Sequence, residues 1–110
     1  MKKQKPILTP EDIDELETCM IESDQTSITI LLCTEQPLYI RVKIETAEDK
    51  PKNRAMAVVK VIEKVLAKNP TLKLAEVPIM KICTLNRNYS SAYLKFRKKT
   101  FWERLFSKKT

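Results

Sequence analysis

The sequence predicts an α+β fold: an antiparallel sheet of about four strands packed against a long central helix, with a short helix at the C-terminal end. Three observations predict it. Apolar residues recur at helical spacing in residues 9–23 and 52–68, they alternate strictly in 38–46 and 90–97, and Pro, Asn and Thr sit at the seams between these stretches. The implied order is α-β-β-α-β-β-α, in which an αββ unit recurs as a pattern over 9–46 and 52–97 with hardly any sequence likeness. At 110 residues the chain is long enough to bury one core and reads as a single domain over 9–110, with a basic C-terminal segment from 95 to 110. Residues 1–8 read as a flexible basic tail.

Each element has a local cause. Thr9-Pro10-Glu11-Asp12 opens the first helix: Thr caps, Pro suits the first helical position, and the acids favour the positive end of the dipole. Ile13, Leu16 and Met20 form its apolar stripe. Ser27 to Thr34 is rich in β-branched and aliphatic residues and reads as a strand. Glu35-Gln36-Pro37 connects it to Leu38–Thr46, where Leu38, Ile40, Val42 and Ile44 oppose Tyr39, Arg41, Lys43 and Glu45. Between 52 and 68 the expected stripe is Ala55, Val58, Val59, Ile62, Val65 and Leu66, with Lys60, Lys64 and Lys68 along another face. Asn69-Pro70 ends that helix. Residues 71–85 read as extended but broken at Pro78, as one edge strand or two short strands with a bend. After a turn at Asn86-Arg87-Asn88, Ala92, Leu94 and Phe96 alternate with Tyr93, Lys95 and Arg97. Thr100-Phe101-Trp102-Glu103 fits a capping box opening the last helix.

Composition narrows the chemistry. The chain has no His and no Gly. It therefore lacks the usual general base, Ser-His and Cys-His pairs and the commonest transition-metal ligand, and it can hold no P-loop, dinucleotide turn or nucleophile elbow. The acids fall on a solvated helix and a loop with no sign of burial, so the expectation is a non-enzymatic protein without cofactor, metal or small-molecule substrate. Cys19, Cys33 and Cys83 are too widely spaced for a disulfide framework or zinc pattern and read as buried, reduced thiols. No apolar run follows the basic start, and none is long enough to span a bilayer, so the expected location is cytoplasmic.

Charge is segregated. Residues 1–50 hold 6 Lys/Arg against 11 Asp/Glu, a balance of −5, whereas residues 51–110 hold 15 against 3, a balance of +12. Such a split points to a surface that meets an anionic partner. Two strands share one order: Tyr39-Ile40-Arg41-Val42-Lys43 and Tyr93-Leu94-Lys95-Phe96-Arg97 each place a tyrosine and two cations on one side. If both lie in one sheet, that side combines rings for stacking bases with cations for phosphates. Solvated strands commonly carry the same residue types, and helices could cover that side instead. Lys60 and Lys64 are further phosphate candidates, although a lysine row is more often the wet face of an amphipathic helix. The acidic first helix could neutralise part of the basic half, or contact a second subunit.

Phe101, Trp102, Leu105 and Phe106 fill one arc of the last helix, ringed by basic residues. Packing on the sheet is the first expectation for this arc; a protein partner, a homodimer contact or a membrane surface are the others. The leading functional expectation is a small basic nucleic-acid-binding domain. The rival is a protein-interaction module, as adaptor, chaperone or inhibitor, docking on an acidic protein. In element order alone the chain resembles the small two-layer chaperones of bacterial secretion systems, dimers that hold extended effector segments. Those chaperones are typically acidic, whereas this sequence has a pI near 9.4.

Overall fold

The computed structural model describes residues 7–18, 26–33, 35–46 and 51–107. Among them are three helices and five strands: α1 (Pro10–Thr18), β1 (Ser27–Leu32), β2 (Tyr39–Glu45), α2 (Pro51–Lys68), β3 (Leu72–Leu74), β4 (Ile79–Ile82), β5 (Tyr89–Lys98) and α3 (Phe101–Ser107). The strands form one sheet in the order β1-β2-β5-β3, with β4 also paired to β5, and every pairing is antiparallel. The count is five because the segment around Pro78 forms two short strands. Both lie along the same edge of β5, β4 opposite Ser90–Tyr93 and β3 opposite Phe96–Lys98. Pro78 falls between them, where no ladder hydrogen bond is required of it.

Strand alternation decides which side is covered. Ile28, Ile30, Ile40, Val42, Ile44, Ala92, Leu94 and Phe96 form one face, on which α2 packs through Ala57, Val58, Val61 and Val65. Spacings of one, three and four residues put these four on one side of α2. The stripe lies beside the expected one: Val58 and Val65 are shared and Ile62 and Leu66 are partly buried, but Ala55 and Val59 face outward, Val59 at 48% exposure. The expected stripe spans two overlapping apolar arcs, and one helix can turn only one of them fully to the sheet. Lys52, Ala55, Met56, Val59, Lys60 and Glu63 line a shallow hollow on the outer arc.

Ile7 and Leu8, read from the sequence as the end of a tail, belong to the core, and Leu8 is only 1% exposed. Asn69 fixes them: its Nδ2 donates to the Ile7 carbonyl and to the Val65 carbonyl, each at 2.8 Å, which also caps α2. Residues 1–6 of the expected tail, and Cys19 and Met20, lie outside the described residues. The thiol expectation is corrected for the other two cysteines. Cys33 is half-buried and Cys83 exposed, because β1 and β4 end one residue before them and release their side chains from the alternation.

Asp12 is buried, contrary to the expectation for the acids. Thr9 and Asp12 cap α1 reciprocally: the Thr9 N–H donates to Asp12 Oδ2 at 3.0 Å, and the Asp12 N–H to Thr9 Oγ1 at 3.1 Å. The other oxygen, Oδ1, faces Lys68 Nζ at 3.4 Å and Lys64 Nζ at 3.9 Å. The backbone N–H of Thr9, reinforced by Lys68, holds the carboxyl below its ordinary value despite burial. At the sheet's β1 edge, the Ile30 N–H donates to Glu17 Oε2 at 2.7 Å, so α1 supplies an acceptor to an otherwise unpaired edge group.

Candidate nucleic-acid interface

The face opposite the core carries Tyr39, Arg41, Lys43 and Glu45 from β2, Tyr89, Ser91, Tyr93, Lys95 and Arg97 from β5, and Ile79 and Lys81 from β4. Among the described residues α1 and α2 pack on the aliphatic side, and α3 reaches this one only at the Arg97 end, through Glu103. Because β2 and β5 run antiparallel, their matching Tyr-basic-basic orders interleave: Tyr39 lies opposite Lys95, Arg41 opposite Tyr93 and Lys43 opposite Ser91. The two tyrosines become diagonal neighbours, with ring centroids 6.4 Å apart and planes tilted by 41°.

Tyr93 is the hub. The Arg41 Cζ lies 5.6 Å from its ring centroid and the Lys81 Nζ 5.5 Å, one cation from each flanking strand and both within cation–π range. Two hollows meet here. One of about 480 Å³ is lined by Arg41, Lys43, Lys81 and Tyr93 together with Thr29 and Ser91, and also by Glu45 and Tyr89. The other, about 310 Å³, is lined by Tyr39, Glu76, Ile79, Lys81, Tyr93 and Lys95.

Which cations are already answered decides what this face can hold. Among the described residues, Arg41, Lys43 and Lys81 have no carboxylate partner. Among the described residues Arg41 has one side-chain hydrogen bond, a long one to the Ser91 hydroxyl at 3.5 Å, and its Nε is buried without a hydrogen-bond partner. A desolvated donor of this kind favours an incoming acceptor. Lys95 has a loose contact with Glu76 at 3.9 Å. Glu45 is engaged by the Tyr89 hydroxyl, whose pKa is raised because it donates to that carboxylate and sits in its field.

Three expected phosphate contacts stand elsewhere. Arg97 shares the open face, but both its terminal nitrogens bind Glu103, at 2.8 and 2.9 Å. Lys73 adds a third contact to Glu103 at 2.7 Å, and the Thr100 N–H a fourth at 2.8 Å. The Arg97 guanidinium, then Lys73, hold the Glu103 carboxyl far below the usual carboxylate range, while Glu103 raises Arg97. The capping-box glutamate thus also clamps α3 to the sheet. Lys60 and Lys64 lie on α2, on the opposite side of the sheet from the tyrosines, and Lys64 contacts Glu15 at 3.1 Å as well as Asp12.

The aromatic arc of α3 does not pack into the core. Phe101 and Trp102 are 64% and 63% exposed, with centroids 5.5 Å apart in an edge-on arrangement, and Leu105 is also exposed. The side chain of Phe106 lies outside the described residues. Sequence reasoning missed Lys81 and Glu76. Ile79-Met80-Lys81-Ile82 does not alternate in polarity, so only its pairing with β5 reveals that Lys81 shares a face with Tyr93.

Among the described residues, no helix is long and apolar enough to cross a membrane, and no three His, Cys, Asp or Glu side chains are grouped to hold a metal ion. The class defined by fold and surface is a two-layer α+β protein with one sheet face left open and basic. No family model, curated protein or solved structure matches the chain.

Proposed function

We propose that this is a non-enzymatic nucleic-acid-binding domain that uses the open face of its sheet. One observation carries the reading: Arg41, Lys43 and Lys81, three cations without carboxylate partners among the described residues, line one hollow on the side that α1 and α2 leave uncovered, two of them over the Tyr93 ring. Cations beside hydroxyls suit phosphate oxygens, and half-exposed tyrosine rings on a sheet, here Tyr39 and Tyr93, suit unpaired bases. In this scheme Tyr93 positions Arg41 and Lys81 through its ring, and Tyr39, its outer neighbour, supplies the stacking surface. Lys95 adds a cation at the end of the track. Fluorescence anisotropy of labelled single- and double-stranded oligonucleotides tests the reading. The single strand should bind more tightly, and R41A/K81A should weaken it at low salt; binding that ignores this double substitution would remove the sheet face from the site.

A second reading is favoured by α3. Two aromatic side chains more than three-fifths exposed, on a helix anchored through Glu103, make a candidate contact for another protein, a second copy of the chain or a lipid surface. F101A/W102A separates the two readings. It should leave oligonucleotide affinity unchanged if the sheet is the site, and should abolish partner, self or vesicle binding if α3 is.

A further inference from the structure

The smaller hollow holds a carboxylate that phosphate binding does not explain. Glu76 stands beside Tyr39 and Tyr93; the other carboxylate of this face, Glu45, is engaged by the Tyr89 hydroxyl, whereas Glu76 is not taken up in that way. Its contact with Lys95 is long, 3.9 Å, between two side chains that are each 54% exposed. Pairs this open contribute little to a fold, so stability is a poor reason for Glu76 to be there. Its neighbours are two rings, the Ile79 side chain and an ammonium group, in a space of about 310 Å³. That is at the small end for a ligand site and has room for one base.

Resting on the nucleic-acid reading, we infer that this hollow is a guanine-selective seat for an unpaired base, with Glu76 and Lys95 reading its edge. The chemistry follows from the donors and acceptors. A carboxylate offers two adjacent acceptors and no donor, and an ammonium offers donors only. On its Watson–Crick edge, guanine presents two adjacent N–H groups, at N1 and N2, beside the acceptor O6. Glu76 accepts the pair and Lys95 donates to O6. Adenine and cytosine present one amino group beside a ring acceptor, and thymine or uracil one N–H between two carbonyls, so each leaves one carboxylate oxygen without a donor. Only an unpaired strand exposes this edge, and such edges are how single strands are read. The ring of Tyr39 then stacks on the base while the adjoining phosphate enters the Arg41–Lys43–Lys81 hollow, which shares Lys81 and Tyr93 with the base seat.

The test compares single-stranded oligothymidylates and oligouridylates carrying one central guanine, adenine or cytosine, bound by the wild type and by Glu76→Gln. The guanine oligonucleotide should bind about tenfold more tightly than the others, the discrimination expected of one good two-point contact to a base. E76Q should lose that preference without weakening binding to the unsubstituted oligomers, since it removes a negative charge from the face. Equal affinity for all oligomers in the wild type would overturn guanine selectivity and leave the nucleic-acid reading standing. A preference that survives in E76Q would overturn the role of Glu76. Absence of binding to every oligomer would overturn the nucleic-acid reading and this inference with it.

Discussion

Two arrays of cations lie on opposite layers of this molecule, and they differ in what faces them. On α2, Lys64 and Lys68 meet Asp12 and Glu15 of α1, so the acidic first helix answers part of the basic half inside the fold. On the sheet, Arg41 and Lys81 flank the Tyr93 ring, Lys43 lines the same hollow, and the three meet no carboxylate in an ion pair among the described residues. Arg41 and Arg97 repeat the contrast within one face. Both follow a tyrosine in matching strands, yet Arg97 is held bidentately by Glu103, whereas Arg41 keeps a buried nitrogen unpartnered. A run of like charge therefore marks a binding surface only after its internal partners have been subtracted.

The comparison can be broken most forcefully by removing the sheet array. R41A/K43A/K81A should lower single-strand affinity by about two orders of magnitude at low salt and flatten the log–log salt slope by about 2, near 0.7 for each phosphate no longer neutralised. K60A/K64A should change neither, which sharpens the contrast between the layers. Next in size is Tyr39→Ala, for which loss of a stacked base costs about 1–3 kcal/mol of binding, measured by anisotropy with the fold checked by circular dichroism. Glu103→Gln weakens the clamp on Arg97 and Lys73 and should raise oligonucleotide affinity several-fold, about the gain from freeing one more cation for a phosphate. Smaller is Thr9→Ala, which removes the α1 cap and should lower unfolding stability in urea by about 1 kcal/mol without touching binding.

Acid should act on stability in the same sense at Asp12 and Glu103. Both carboxyls are held below their ordinary values of 3.8 and 4.5, so the folded state binds fewer protons than the unfolded one over the interval between. Their stabilisation is complete above those ordinary values and is lost as pH falls toward the lower folded ones. Urea titrations below pH 4.5 should show a shallower fall in stability for E103Q than for the wild type.

The elements were largely legible because their signals are local. The Thr9 and Thr100 caps, the alternation of β2 and β5, and the Pro78 break each follow from a few adjacent residues. The tyrosine–cation order of the candidate site was legible for the same reason. What escaped depends on residues far apart in the chain. Lys81 joins Tyr93 only through the β4–β5 register, and Arg97 leaves the candidate set only because α3 turns Glu103 back onto the sheet. Met56 and Val59 face outward because α2 has two apolar arcs and the sheet accepts one. Periodicity alone could not choose between those arcs. The exposed face of α3 is the same kind of miss, since an aromatic arc looks alike whether it meets a core or solvent.

The most direct test of the central claim is the affinity of a single-stranded oligonucleotide across a salt series, for the wild type, R41A/K43A/K81A and K60A/K64A. The account predicts a log–log slope of about −2 or steeper for the wild type and K60A/K64A, and a nearly flat, weak response for the sheet variant. No binding by the wild type at low salt, or equally weakened binding in the two variants, would contradict it.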